Sequence, residues 1–222
     1  MKHYYLSFVL FFLTVACSSD FDETAETVET VSLEQVTTYN VQAAAAVSLP
    51  AVVSQLAAGY TAAAVGSVPT TLLQKITLLD SVSLQNTAFL QIKPVGYTVI
   101  GTTKAQLFLQ NYSQEYTNLN ASAAVRNYYE LLIANESDLS QLEDAITADN
   151  LLTTTEKQLL HFILNCLDSN PPPGNGDDGW DKKMIVAAHL GFNESPAQAV
   201  FNVALLIVSQ EKETLKIMNH GS

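Results

Sequence analysis

The stretch that most narrows the fold is Thr153-x-x-Glu156 and the run behind it, TEKQLLHFILNCLDS. A threonine whose hydroxyl accepts the backbone N–H three residues on, paired with a glutamate that reaches back, is a reciprocal capping box and marks a helix start. The run is apolar on nearly every face, which predicts a helix at the centre of a core rather than on its surface. Similar punctuation recurs along the chain. Ser32-Leu33-Glu34-Gln35 opens a segment to about Val47, and Ser48-Leu49-Pro50 restarts a helix, since proline is tolerated in a first turn. Gly59 is expected to fray or break that helix. Ser67-Val68-Pro69 starts a third, with Leu72, Ile76, Leu79 and Val82 or Ser83 near one face.

Residues 92–101, IKPVGYTVIG, read differently. Pro94, Gly96 and Gly101 bracket β-branched residues, which predicts a loop with room for a small hairpin. Thr103 with Gln106 then caps a helix to about Leu119, whose stripe is Ala105, Phe108, Leu109, Tyr112, Tyr116 and Leu119. Asn120 caps the next, with Ala121, Ala124, Val125, Tyr128, Leu131 and Leu132 on one side, and Ser137 opens a short one. After the turn-rich linker at 170–179 come a helix closed by Gly191 and another opened by Ser195-Pro196. The expected class is all-α, a single-domain bundle of about eight short-to-medium helices over 32–216, with loops at 92–102 and 169–180 and a tail at 217–222.

Composition supports a packed core and limits partners. Apolar residues make up 48% and charged residues 14%, a balance that argues against disorder for the bulk of the chain. The formal net charge of −12 repels phosphate backbones, so nucleic acid is not an expected partner. Of the two cysteines, Cys166 lies on the apolar helix and reads as a buried thiol acting as a small hydrophobe.

The N-terminus is organised as a signal. Met1-Lys2-His3 is a short basic start, and Tyr4 to Val15 is an apolar run of twelve residues. A spanning helix needs about 20 residues, so the run matches a secretory signal peptide instead. Ala16 and Cys17 follow it. The tetrad Thr14-Val15-Ala16-Cys17 resembles the lipobox of bacterial lipoproteins, with Thr14 standing where leucine is usual. The resemblance implies a signal at 1–16, alkylation of the Cys17 thiol by diacylglycerol, and cleavage that leaves Cys17 as the acylated first residue. The chain would then be held by the membrane through an N-terminal lipid, since two or more acyl chains anchor stably. Ser18-Ser19 lacks the aspartate that often retains such proteins at the inner membrane. Ser19-Asp20-Phe21-Asp22-Glu23 is similar to an acidic motif that sorts lipoproteins to the cell surface in some Gram-negative lineages. The expected location is therefore the outer membrane; the acidic motif favours outward display, with the periplasmic face as the alternative. The remainder of 17–31 reads as an acidic, Thr-rich tether that repels itself, with a reach on the order of 45–50 Å.

Candidate chemistry is sparse. No two-histidine metal spacing, P-loop, dinucleotide fingerprint or nucleophile elbow is legible, and no cofactor is expected. Asn175, Asp177, Asp178 and Asp181 cluster in a Gly-rich loop of the kind Ca²⁺ uses, but without an EF-hand series they read first as a solvated acidic linker. Residues 184–202 have the outline of a helix-turn-helix, yet the second helix starts without a basic residue, so an ordinary helical corner is expected. Asp80-Ser81-Val82 resembles a short O-glycosylation acceptor, which would modify Ser81 if it is exposed. Tyr97, Tyr112, Tyr116, Tyr128, Tyr129 and Trp180 offer either a protein- or glycan-binding surface or the rim of a core, and the core reading is the simpler.

Three roles remain open at this level. The first is a lipid-anchored binding or structural protein. The second is a surface enzyme built from scattered groups such as Asp177, Asp181 and His189, although the absence of a catalytic constellation leans against an enzyme. The third is a membrane-active effector using the apolar run Val203–Val208.

Overall fold

The computed structural model describes residues 47–66, 68–134, 139–171 and 179–219, and side chains as far as Gln210. Ten helices and no strand are found among the described residues, so the all-α expectation holds. In chain order they are α1 (Leu49–Ala63), α2 (Leu72–Ser83), α3 (Thr87–Ile92), α4 (Thr102–Leu109), α5 (Tyr112–Asn118), α6 (Ala123–Ala134), α7 (Leu139–Ala148), α8 (Thr154–Ser169), α9 (Trp180–Phe192) and α10 (Pro196–Asn219). The helix start expected at Ser32, the one at Ser137, and residues 1–46 as a whole lie outside the described residues.

The core is built on α9 and α10. Every residue from Met184 to His189 is buried, and so is every residue from Ala197 to Leu206. Helix α10 packs against α9 and α1, with α2, α3 and α4 also touching it. Helix α9 in turn contacts α4, α5, α6 and α8. Helix α8 begins with its expected capping box: Thr153 Oγ1 accepts from the Glu156 N–H at 3.2 Å, and Glu156 accepts the Thr153 N–H at 2.8 Å. It is not the central helix, however. It leaves Thr154, Thr155, Asp168 and Ser169 in solvent, and the helices with unbroken burial are those that follow it. Val203, Ala204, Leu205, Leu206 and Val208 are core residues, which accounts for the apolar run that had suggested a membrane-active segment. Among the described residues no helix is long and apolar enough to cross a membrane.

Two glycines read as helix breakers are packing devices. Helix α1 continues through Gly59 to Ala63, and a Cβ on Gly59 would meet Val82 Cγ1 at 2.7 Å. Helix α9 continues through Gly191 to Phe192, and a Cβ there would lie 2.3 Å from Ala199 Cα and 2.5 Å from its nitrogen. Gly191 therefore exists to let the backbone of α10 touch α9. Ser195 Oγ accepts the Gln198 N–H at 3.1 Å and starts α10 immediately beyond the turn, as its sequence indicates. The helix-turn-helix outline is thus a tight helical corner with its second helix buried.

Several boundaries differ from those read in the sequence. Helix α2 is opened by Thr71 and Gln74, which form a full capping box, rather than by Ser67. Helix α3 is additional: Asn86 caps it by accepting the Phe89 N–H at 2.8 Å, and its amide donates to Gln55 on α1 at 2.9 Å. The segment 93–101 holds no hairpin. It turns at Pro94–Tyr97 around Gly96, whose φ of 80° suits glycine. The helix expected from Thr103 to Leu119 starts after Gly101 and breaks at Gln110 and Asn111, whose N–H groups both bond the Gln106 carbonyl. Helix α6 is capped by Ser122 rather than Asn120, and it buries Val125, Tyr129 and Leu132 while Leu131 is exposed. The inward tyrosine is thus Tyr129, not Tyr128.

The two glycines give a paired prediction. Gly191→Ala forces backbone against backbone and should destabilise the protein by about 3 kcal/mol or more. In Gly59→Ala the new methyl meets Val82 Cγ1, on a side chain that is stiff at χ1, and the gain in helix propensity offsets part of the crowding, so the loss should be about 1–2 kcal/mol, smaller than at Gly191. Urea unfolding of the two variants checks this; equal losses would overturn the packing role given to Gly191.

Candidate functional site

The burial of α9 carries one histidine into the core. His189 occupies its last turn with 4% of its surface exposed. Tyr129, on α6, meets it edge-on, with ring centroids 6.0 Å apart and the phenol oxygen 2.8 Å from Nδ1. Burial pushes the Tyr129 phenol well above its ordinary range, so it keeps its proton. A phenol that keeps its proton donates to Nδ1 at this distance. The neutral ring must then carry its own proton on Nε2. Burial also pulls the His189 pKa below its usual value. The Asn120 carbonyl opposes this shift, and the Arg126 charge adds to it. The ring is thus neutral, with a defined tautomer.

Nε2 is buried and makes no short hydrogen bond; the acceptor it has is the Asn120 backbone carbonyl, which favours the protonated ring against the larger effect of burial. Beside the ring lies a hollow of about 130 Å³. Val125, Leu159 and Phe192 supply its apolar wall, and Asn120, Ala121, Ser122, Thr155, Glu156 and Asn193 line the rest. Tyr129 is not part of the lining, so the edge of His189 that borders the hollow is the one away from Nδ1. The site gathers the start of α6, the start of α8 and the end of α9. The Ser122 hydroxyl is the largest influence holding Glu156 below the usual carboxylate range, followed by the Thr153 backbone N–H. Ser122 thus serves two helix starts, since its oxygen also accepts the Val125 N–H at 3.3 Å. The carboxylate at the edge of the hollow is ionised and already well bonded.

A second hollow of about 190 Å³ adjoins Phe192 from another side, lined by Leu49, Pro50, Gln158, His161, Phe162, Asn165 and Pro196. Phe192 packs on Phe162 with centroids 5.4 Å apart and contributes to both spaces. His161, at its edge, has Nε2 3.3 Å from Thr147 Oγ1 and Nδ1 4.0 Å from Glu143.

The other candidates from the sequence do not converge. Asp181 sits in the first turn of α9 and His189 in its last, about 12 Å further along the axis, so they share no site. Asn175, Asp177 and Asp178 lie outside the described residues, and no group of three metal-ligating side chains forms among those described. Cys166 is buried and its thiol is pushed up by desolvation, as suits a core residue. Ser81 is exposed on α2. Cys17 lies outside the described residues.

The aromatics do not form one surface. Trp180 is buried and donates to the Asn170 carbonyl at 3.0 Å, Tyr97 packs edge-on against Phe89, and Tyr128 reaches Asp149 at 3.1 Å. Tyr112 and Tyr116 instead sit under Lys183 and Lys182, at 5.0 and 5.8 Å. The hollow beside His189 had no signal in the sequence beyond the histidine itself. Tyr129 lies 60 residues away, and the lining comes from three separate segments.

No protein-family model matches the chain, and comparison with curated proteins and with solved structures gives no match.

The lowered pKa of His189 has a thermodynamic consequence. Below the ordinary histidine value of 6.5 the unfolded chain takes up a proton that the folded ring refuses, so stability falls with pH until the folded pKa is passed. The lowered pKa of Glu156 works in the same direction but below its ordinary 4.5. Thermal melts should therefore lose Tm between about pH 7 and about pH 5, and His189→Gln should flatten that part of the curve. An unchanged slope in the variant would remove His189 as the cause.

Proposed function

We propose that this chain is a lipid-anchored helical protein of the bacterial outer membrane, displayed outward, whose folded domain acts by binding. The observation that carries the location is Cys17 at the end of the apolar run Tyr4–Val15, followed by the acidic Ser19–Glu23. A leader of that length is too short to span, and a cysteine at its end is suited to acylation. The acidic, Thr-rich residues up to 31 serve as a spacer between lipid and domain.

The binding role is supported by the chemistry of the His189 hollow. Its imidazole is neutral, with Nδ1 occupied by Tyr129. The neighbouring hydroxyl of Ser122 is committed to a helix cap and to Glu156. A general base must reach and accept the proton of a nucleophile. Here the second nitrogen bears a proton and has the Asn120 carbonyl as its acceptor, and the adjacent hydroxyl is already engaged. The arrangement suits recognition of a ligand by donated and accepted hydrogen bonds.

Cys17→Ala should abolish incorporation of labelled palmitate and leave an uncleaved precursor of higher mass. Globomycin should do the same to the wild-type chain. Persistent labelling in the variant would refute the anchor. Protease added to intact cells should degrade the wild-type protein; full protection would refute outward display while leaving the anchor intact.

A further inference from the structure

The connection between α1 and α2 leaves apolar side chains in solvent at one end of the helix pair. A Cβ on Gly59 would meet Val82, and Gln55, one turn earlier, accepts from Asn86 just past α2, so the two helices run antiparallel. Helix α1 ends at Ala63, one turn past Gly59, whereas α2 begins at Leu72, well before Val82, so the start of α2 lies about 9 Å beyond the end of α1. Val65 is 83% exposed here, Val68 57% and Leu73 62%. Ala62 and Ala63 are exposed beside them. One exposed valine is ordinary, but three large apolar side chains along one short connection form a patch.

Two further features suit an apolar surrounding. The first is the lack of charge. No residue between Glu34 and Lys75 is charged, and the Lys75 amine reaches the Ser209 carbonyl on α10 at 3.4 Å. The second is that backbone donors of the connection are already bonded within the chain. The Ala64 N–H donates to the Tyr60 carbonyl at 2.9 Å and the Val65 N–H to that of Ala62 at 3.4 Å. The N–H groups of Thr70 and Thr71 both donate to Gln74 Oε1, at 2.9 and 3.1 Å. Paired peptide groups lose less on leaving water, and unpaired ones are the main cost of placing a loop in lipid.

The patch is poorly suited to a protein partner. Three side chains supply far less than the ~800 Å² per partner of a stable complex, and no charge on the connection fixes a register. A lipid surface needs neither. A chain held by an N-terminal lipid meets that surface at high effective concentration, so a weak contact suffices. The residues between Cys17 and Val47 can span at most about 100 Å, several times the length of α1, so the anchor leaves the far end of α1 within reach of the bilayer.

We propose that the α1–α2 connection is a second membrane contact, with Val65, Val68 and Leu73 seated at the boundary between lipid headgroups and acyl chains. A second contact fixes the orientation of a domain that one lipid leaves free to turn. This rests on the membrane location proposed above.

The test uses the full anchored chain in phosphatidylcholine vesicles, carrying an NBD fluorophore on Val68→Cys or, as a control, on Leu151→Cys. Leu151 is as exposed as Val65, but its N–H is bonded to the Asp149 carboxylate. Cys166 is buried and takes no label in the folded chain. Doxyl-labelled phosphatidylcholine should quench about half or more of the emission at 68 and about a tenth or less at 151, and aqueous iodide should give the reverse order. Val65→Asp combined with Leu73→Asp, both at exposed positions, should cut the doxyl quenching at 68 by about threefold or more. Equal doxyl quenching at 68 and 151 would overturn the proposal. So would a fluorophore at 68 that is shielded from iodide yet untouched by doxyl lipid, because protein would then cover the connection: a second copy or another segment of the same chain. Dye uptake by Cys17 in the unsubstituted chain would show an unacylated thiol and refute the anchor, while the doxyl quenching at 68 decides the contact separately.

Discussion

Where α9 and α10 meet, Gly191 and Ala199 bring two backbones to a separation that admits no side chain between them. Small residues make this approach possible: Ala187 and Ala188 on one helix, Ala197 and Ala199 on the other, all fully buried. Backbone proximity brings polar groups into the core, and these are bonded. Gln198 donates to Asn202 at 2.7 Å, and Asn202 donates to the Ala187 carbonyl at 3.1 Å. A satisfied polar network of this kind fixes register between two helices as apolar contacts alone do not. The other helices pack against this pair, α1 to α4 around α10 and α4, α5, α6 and α8 around α9.

The same corner places the candidate site. His189 stands two residues before Gly191, so the rotation of α9 that turns the glycine toward α10 also fixes where the histidine points. Tyr129 receives it from α6, and the pair T-stacks at 82°. The polar edge of the hollow then comes from helix starts, since α6 and α8 both begin beside the end of α9 and share Ser122 through the Glu156 carboxylate. Residues whose first role is to cap helices thereby supply the hydrogen-bonding groups around the cavity.

Features that depend on a few neighbouring residues could be read from the sequence, and features that depend on contacts across the fold could not. The caps at Thr153 and Ser195 are local hydrogen bonds, so their residue types announce them. Gly59 was read by helix propensity and Gly191 as a helix stop, both local signals, whereas their positions are set by Val82 and Ala199 across the core. Asn86 opens α3 in a stretch to which the sequence assigned no element, and its amide also ties to Gln55, 31 residues earlier. The face of α6 was misjudged by one residue: Tyr128 and Tyr129 fit a helical stripe equally well, and only the position of His189 decides between them. His189 is in the core, but neither its partners Tyr129 and Asn120 nor the hollow beside it has a one-dimensional signature.

A fold this rich in buried apolar surface could have closed over the end of α9 with another leucine. Instead it holds an imidazole whose one nitrogen is bonded to a phenol that must also be buried. Replacing both by apolar groups of similar shape would be close to neutral or stabilising, since a buried hydrogen-bonded pair adds little net free energy over a packed apolar one. What the polar pair adds is orientation: the phenol on one side and the Asn120 carbonyl on the other fix the tautomer and the tilt of a ring at the seam between α6 and α9.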